Sequence, residues 1–378
     1  MGRIYLDNAA STRIYDEVAG EMFALAKEYY GNPSSSHAEG AKSAELIKKA
    51  RRIIAECLNC DEGEVFFTSG GTESDNWALY ALSASPCAQG KREVAVSAIE
   101  HAAVVRAAEK YYDSVNTIKC SPDGRVAAAD VLRALTPGTA AVSVMYANNV
   151  TGAIQPVDEI SALCREKGIA FHTDAVQAVG HIPIDLSKTK VDMLSASAHK
   201  FHGPKGAGFL YVRGGKASPF IVGGTQQNGM RAGTQDCIAS FGTALALRKS
   251  VKELSSAASR VAELREFAER GLMRIEGAHV ICAGVERLPG ILQVCFENAQ
   301  GPSLASLLDM AGIAVSSGNA CRGDHNEPSR ALTAMGVPPE IAKGELRISL
   351  SAFNTREEVA YAVDLITRAV AKIRQIAK

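Results

Sequence analysis

Short β-rich runs alternate with helical ones through the middle of this chain, and that alternation restricts the fold more than any other feature. Residues 64–67 read as a strand, 72–82 as a helix, 94–96 as a strand and 101–112 as a helix. The pattern repeats with a strand at 140–145, a helix at 157–167 and a strand at 169–171. Strands separated by helices join in parallel through crossovers, which lay helices over both faces of the sheet. The expectation is an α/β fold whose large unit has a mostly parallel sheet flanked by helices. Sites in such sheets gather at the carboxyl ends of the strands.

After about residue 250 the pattern changes. A charged helix over 252–274 gives way to strands at 290–296 and 345–350 and a final helix from 356 onward. This predicts a smaller α+β domain made of 1–14 and 251–378, beside a large domain over 15–250. A length of 378 residues fits two cores better than one. Lys and Arg total 41 and Asp and Glu total 41, so charge gives no reason to expect nucleic acid or an anionic membrane as partner. Met1 opens no charged-then-apolar leader, and no apolar stretch approaches a membrane span. Nine cysteines, scattered without framework spacing, suggest reduced thiols in the cytoplasm.

Lys200 is the leading candidate for chemistry. It ends Ser197-Ala198-His199-Lys200, follows Asp174-Ala175-Val176-Gln177, and precedes the glycine-rich Gly203-Pro204-Lys205-Gly206-Ala207-Gly208. A lysine can hold pyridoxal phosphate as a Schiff base, and an acidic residue upstream can keep the ring nitrogen protonated. Asp174, just beyond an apolar strand, suits that second role, since a carboxylate there is costly unless paired. A capping or salt-bridged aspartate is the alternative. Gln177 is placed to reach the phenolic oxygen. Gly70-Gly71-Thr72 lies between a strand and a helix, where backbone N–H groups and the helix dipole favour a phosphate. An ordinary βα turn capped by Thr72 is equally compatible, but a Walker loop and a dinucleotide fingerprint are not. His101 falls at another strand's carboxyl end, where it can stack on an aromatic ring or simply serve the structure.

The spacing of His172, His199 and His202 matches no common ligand pattern, so no metal is expected. Cys57 and Cys60 form a lone Cys-x-x-Cys at a helix end, which suggests packing. Cys321 differs, because small and polar residues with glycines on both sides surround it, and Arg322 and His325 favour its thiolate.

Together these segments resemble the cysteine desulfurases of the NifS/IscS type, fold-type I pyridoxal phosphate enzymes of the class-V aminotransferase family. The likeness begins with Tyr5-Leu6-Asp7-Asn8-Ala9-Ala10 and Gly31-Asn32-Pro33 and continues through residues 67–76, Glu100-His101, Asn148-Asn149 and 174–177. It closes with 197–200, 230–234, 316–321 and 346–349. The resemblance implies a seven-stranded large-domain sheet, Lys200 as the Schiff-base lysine, Asp174 at the ring nitrogen, Gln177 at the phenolic oxygen and His101 on the ring. It implies Gly71, Thr72, Ser197 and His199 as phosphate ligands, with Thr234 reaching the phosphate of the other subunit in a homodimer. Asn149 and Arg347 correspond to residues that bind the L-cysteine substrate, and Cys321 to the one that accepts its sulfur. The implied function is removal of sulfur from cysteine for a protein acceptor such as an iron–sulfur scaffold. A selenocysteine lyase, a pyridoxal phosphate aminotransferase and a cofactor-less scaffold are the alternatives. The chain departs from the family pattern at Val150, at Gln227-Asn228 and over residues 322–326.

Overall fold

The computed structural model describes residues 2–85, 88, 90–317 and 328–376. At its centre is a seven-stranded sheet. The strands are β2 (Val65–Thr68), β3 (Glu93–Ser97), β4 (Ser114–Ile118), β5 (Thr139–Ser143), β6 (Ala170–Asp174), β7 (Met193–Ser197) and β8 (Gly208–Val212), in the spatial order β2-β8-β7-β6-β5-β3-β4. β8 runs antiparallel to both of its neighbours, and the remaining pairs are parallel.

Adjacent residues of one strand enter opposite cores, as a two-sided sheet requires. Phe66, Val94 and Leu210 pack with Trp77 and Leu79 of α3 (Gly71–Ser83) and Val104 of α4 (Ala102–Tyr111). Phe67, Ala95 and Phe209 turn the other way, toward α2 (Ala38–Leu58), α6 (Val157–Glu166) and the start of α7 (Cys237–Leu272). The β2 edge is closed by a side chain. Gln227 accepts from the Phe67 N–H and donates to its carbonyl, both at 2.7 Å, so one departure from the family pattern occupies an edge that would otherwise invite another strand.

A second core lies beside the first. Its sheet is antiparallel, in the order β12 (Glu345–Ser349), β10 (Ile291–Phe296), β9 (Ala278–Val280). Leu292, Val294 and Ile348 pack against Leu264 and Leu272 of α7, Leu304 of α8 (Gly301–Met310) and Ile366 of α11 (Arg356–Ile376). The amino terminus joins this core: β1 (Ile4–Tyr5) pairs in parallel with β11 (Ile313–Ala314), and Ile4 and Leu6 are buried there.

Helix α7 begins fifteen residues before the charged stretch that announced it in the sequence. Asp236 caps it, accepting from the Ala239 N–H at 2.8 Å. Its first half contributes Phe241, Ala244 and Leu247 to the large core. Its first eleven residues, Cys237 to Leu247, are uncharged and mostly buried, so they lack the polar face by which a surface helix is recognised.

Candidate active site

Lys200 closes a short 3-10 turn, Ala198–Lys200, immediately after β7. Its Nζ donates to the carbonyls of Ala9 at 2.6 Å and Ala10 at 2.9 Å. Gln177 Nε2 donates to the same Ala9 oxygen at 2.9 Å, which brings lysine and amide to one point. The N-terminal segment is stitched along this turn. Thr12 donates from both N and Oγ1 to the His199 carbonyl at 2.9 Å, and His199 Nδ1 lies 3.2 Å from Ser11 Oγ. Burial and the neighbouring Lys200 and Lys205 charges push His199 down to about 4, so its imidazole is neutral.

Asp174 is the last residue of β6 and is buried. Burial raises its pKa, while the Val176 N–H at 2.9 Å and the Lys200 charge oppose that rise. His101 caps α4, its Nδ1 accepting from the Ala103 N–H at 3.2 Å, which leaves the proton of the neutral ring on Nε2.

A polar layer lies beneath Asp174, on the face covered by α3. His172 precedes Asp174 by one pleat, fully buried, with Nδ1 2.9 Å from Ser143 Oγ and Nε2 3.0 Å from Ser195 Oγ. Asp75 of α3 approaches the same ring at 3.6 Å, and its Oδ1 lacks a hydrogen-bond partner. Desolvation and the Asp174 charge raise Asp75 well above the carboxylate range. Burial holds His172 down at about 3. Asp174 has a backbone donor and the neighbouring Lys200 charge, which Asp75 lacks, so the rise is larger at Asp75, and of the pair it is Asp75 that keeps the proton. Glu100, also buried, accepts from Ser97 Oγ at 2.5 Å and from the Met145 N–H at 2.6 Å, and burial pushes it up to about 8. Asp75 and the acid–base state of Glu100 escaped the sequence reading. The available signal was a carboxylate on a helix face otherwise occupied by Ala78, Leu79 and Leu82.

The glycine turn opens toward this group. α3 starts at Gly71, its cap Gly70 has φ +142°, and no side chain caps the helix. A Cβ on Gly71 would stand 2.7 Å from Val176 Cγ2, and one on Gly70 would stand 3.4 Å from Ser197 Oγ. Only glycine fits such a cradle, and an uncapped N-terminus beside the Ser197 hydroxyl is chemically suited to a phosphate. Thr72 is exposed at the first turn. Thr234 is also exposed, on a turn docked to α3 by Arg231, whose Nε and Nη2 reach the Glu73 carboxylate at 2.8 and 3.0 Å.

Arg347 of β12 is buried at the junction of the two cores. Its Nη1 donates to the Asn149 carbonyl at 2.8 Å and its Nη2 to Asp7 Oδ1 at 2.9 Å. Asn149 therefore meets Arg347 through its backbone, while its neighbour Asn148 builds the loop by accepting from the Val150 and Thr151 N–H groups. Cys321 and residues 322–326 lie outside the described residues. Among the described residues, no cluster of three or more His, Cys, Asp or Glu side chains is placed to hold a metal ion, and no helix is long and apolar enough to cross a membrane.

The chain matches the family described as aminotransferase class-V over residues 4–361. It is 39% identical to the cysteine desulfurase IscS of Methanosarcina thermophila over 99% of this chain and 93% of that protein. It is 41% identical to a cysteine desulfurase of Cereibacter sphaeroides over 100% of this chain and 98% of that protein. A solved NifS-like protein superposes with a TM-score of 0.90 at 39% identity, covering 98% of this chain and 100% of the other. The chain belongs to the class-V aminotransferase family, and within it to the cysteine desulfurases.

Proposed function

We propose that this protein removes the sulfur atom of L-cysteine, releasing L-alanine and carrying the sulfur as a persulfide on Cys321. The observation that supports it most is the convergence of Lys200, buried Asp174 and the glycine cradle at the carboxyl ends of β6 and β7. Enzymes of this family use pyridoxal 5′-phosphate, and these residues fit it. Lys200 would hold the aldehyde carbon, Asp174 the ring nitrogen, Gln177 the phenolic oxygen, and Gly71, Thr72, Ser197 and His199 the phosphate. His101 would lie on the ring. Bound there, the cofactor supplies an electron sink that weakens the bonds to an amino acid's α-carbon.

The chain's own residues supply the rest. Arg347, with Asn149, binds the substrate carboxylate. Lys200 takes the α-carbon proton, and neutral His199 adds no charge beside it. The Cys321 thiolate attacks the substrate sulfur, whose bond to carbon breaks. L-cysteine and the Cys321 thiol thus become L-alanine and a Cys321 persulfide, which a protein acceptor such as an iron–sulfur scaffold then consumes.

The working unit in this reading is a cytoplasmic homodimer in which the exposed Thr234 reaches the partner's phosphate site. The chain divides into a large domain over 15–250 and a small one made of 1–14 and 251–378, with Cys321 in the latter. Free thiols at the seven described cysteines accord with a reducing compartment. Mass spectrometry after incubation with cysteine tests the sulfur transfer. Wild type should gain one sulfur atom on Cys321 and release alanine, whereas Lys200→Ala should do neither. Alanine production at the wild-type rate by Cys321→Ser would refute it.

A further inference from the structure

Arg347 is buried, yet its guanidinium is only partly satisfied. Asn149 O takes Nη1, Asp7 Oδ1 takes Nη2, and Nε is buried with no hydrogen-bond partner. Nε and Nη2 lie along one edge of the planar group, the edge that a carboxylate grips with both oxygens. Asp7 contacts half of that edge with a single oxygen. A buried donor left unmade is costly, so the vacant half points to a second acceptor that binds there.

We infer that Asp7 is a displaceable counter-ion, holding the Arg347 guanidinium until the substrate carboxylate takes over the Nε–Nη2 edge. The inference rests on the reading of Arg347 as the substrate-carboxylate residue. Asp7 is built to let go without moving the chain. Its backbone is fixed, bridged to Ser349, with its carbonyl accepting from the Ala10 N–H at 3.0 Å and from Tyr5 Oη at 3.1 Å. Its side chain is 19% exposed against 5% for Arg347, so rotation about the side-chain bonds carries the carboxylate toward water. The other carboxylate near Arg347, Glu345, is committed elsewhere: it accepts from the Ser329 N–H at 2.9 Å and from Gln293 Nε2 at 3.3 Å.

A residue that merely held Arg347 in position would weaken substrate binding when altered. A competitor strengthens it, and this opposite sign makes the idea testable. In the holoenzyme, Asp7→Asn keeps an oxygen for Nη2 but removes the charge. It should lower the KM for L-cysteine about tenfold, the size of one charge-assisted hydrogen bond. The Kd for L-alanine, followed by the change in absorbance, should fall in parallel, while that for ethylamine, which has no carboxylate, should not move. Asp7→Glu, long enough to cover Nε as well, should shift both constants upward, and it serves as the test if Asp7→Asn proves unstable in thermal unfolding. A raised or unchanged KM and Kd in Asp7→Asn overturns the inference. Arg347→Gln checks the underlying reading separately: if its preference for L-alanine over ethylamine equals that of wild type, Arg347 does not bind the carboxylate and it is that assignment which fails.

Discussion

Replacing Glu100 with glutamine should make the protein's stability less sensitive to alkaline pH. Glu100 is fully buried below the site, and burial pushes its carboxyl to about 8. Ser97 Oγ and the Met145 N–H satisfy Oε1, whereas Oε2 is buried without a partner. In the unfolded chain the same group titrates near ~4.3. The folded protein therefore binds this proton more tightly, so stability is highest with Glu100 protonated and falls as pH rises from about 4.3 toward 8. At about 1.4 kcal/mol per unit, the loss between pH 5 and pH 8 is on the order of 3–4 kcal/mol from this one residue. Glutamine keeps the acceptor for Ser97 and Met145 and cannot ionise. Urea unfolding of cofactor-free wild type and Glu100→Gln at several pH values between 5 and 8.5 isolates the effect, because every other group cancels in the difference. The gap should widen in favour of the variant as pH rises. Parallel curves would show that Glu100 is ionised throughout or ionises at no cost, and the reasoning from its burial would be wrong.

Gly71→Ala should weaken phosphate-dependent cofactor retention about tenfold or more, since its Cβ would stand 2.7 Å from Val176 Cγ2 at the mouth of the cradle; equilibrium dialysis with pyridoxal phosphate measures it, and wild-type affinity would mean that the turn is not the phosphate site. Thr234→Ala should cost a further hydrogen bond to a charged group, about 1.5–3 kcal/mol, without changing the unfolding transition. A cofactor-saturated, active monomer in light scattering would exclude a Thr234 shared between subunits.

The strands β2, β3, β5 and β6 were legible as apolar runs alternating with helices. β8 was not, although Phe209 to Val212 are all apolar, because it follows a glycine-rich turn and no α-helix immediately precedes it. Nor was β7, because Ser195 and Ser197 face a buried polar layer and interrupt the apolar run that marks a covered strand. β4 escaped for another reason: as an edge strand reading Ser-Val-Asn-Thr-Ile it is half exposed and carries little hydrophobic signal. Within the site, Lys200, Asp174, Gln177 and His101 stood out as polar residues at strand ends. Asp75, Asp7 and the Ala9 and Ala10 carbonyls did not. Their significance arises from contacts across roughly a hundred residues or more of sequence, such as Asp75 with His172 and Asp7 with Arg347, and local pattern does not report such pairs.

Helix α7 also acts as a shaft set in two bearings. Its 36 residues span about 54 Å without a break. The stretch up to Ser250 is clamped in the large core and the stretch from Val261 in the small one, with no fully buried residue between. A loop in that position would let the two cores swing independently. A continuous helix resists bending and transmits torque, so motion of β12 relative to β6 and β7 is confined to rolling about the shaft or flexing the ten residues between its two clamped stretches. The distance between Arg347 and Lys200, carried on opposite sides of that joint, is thereby kept within narrow limits.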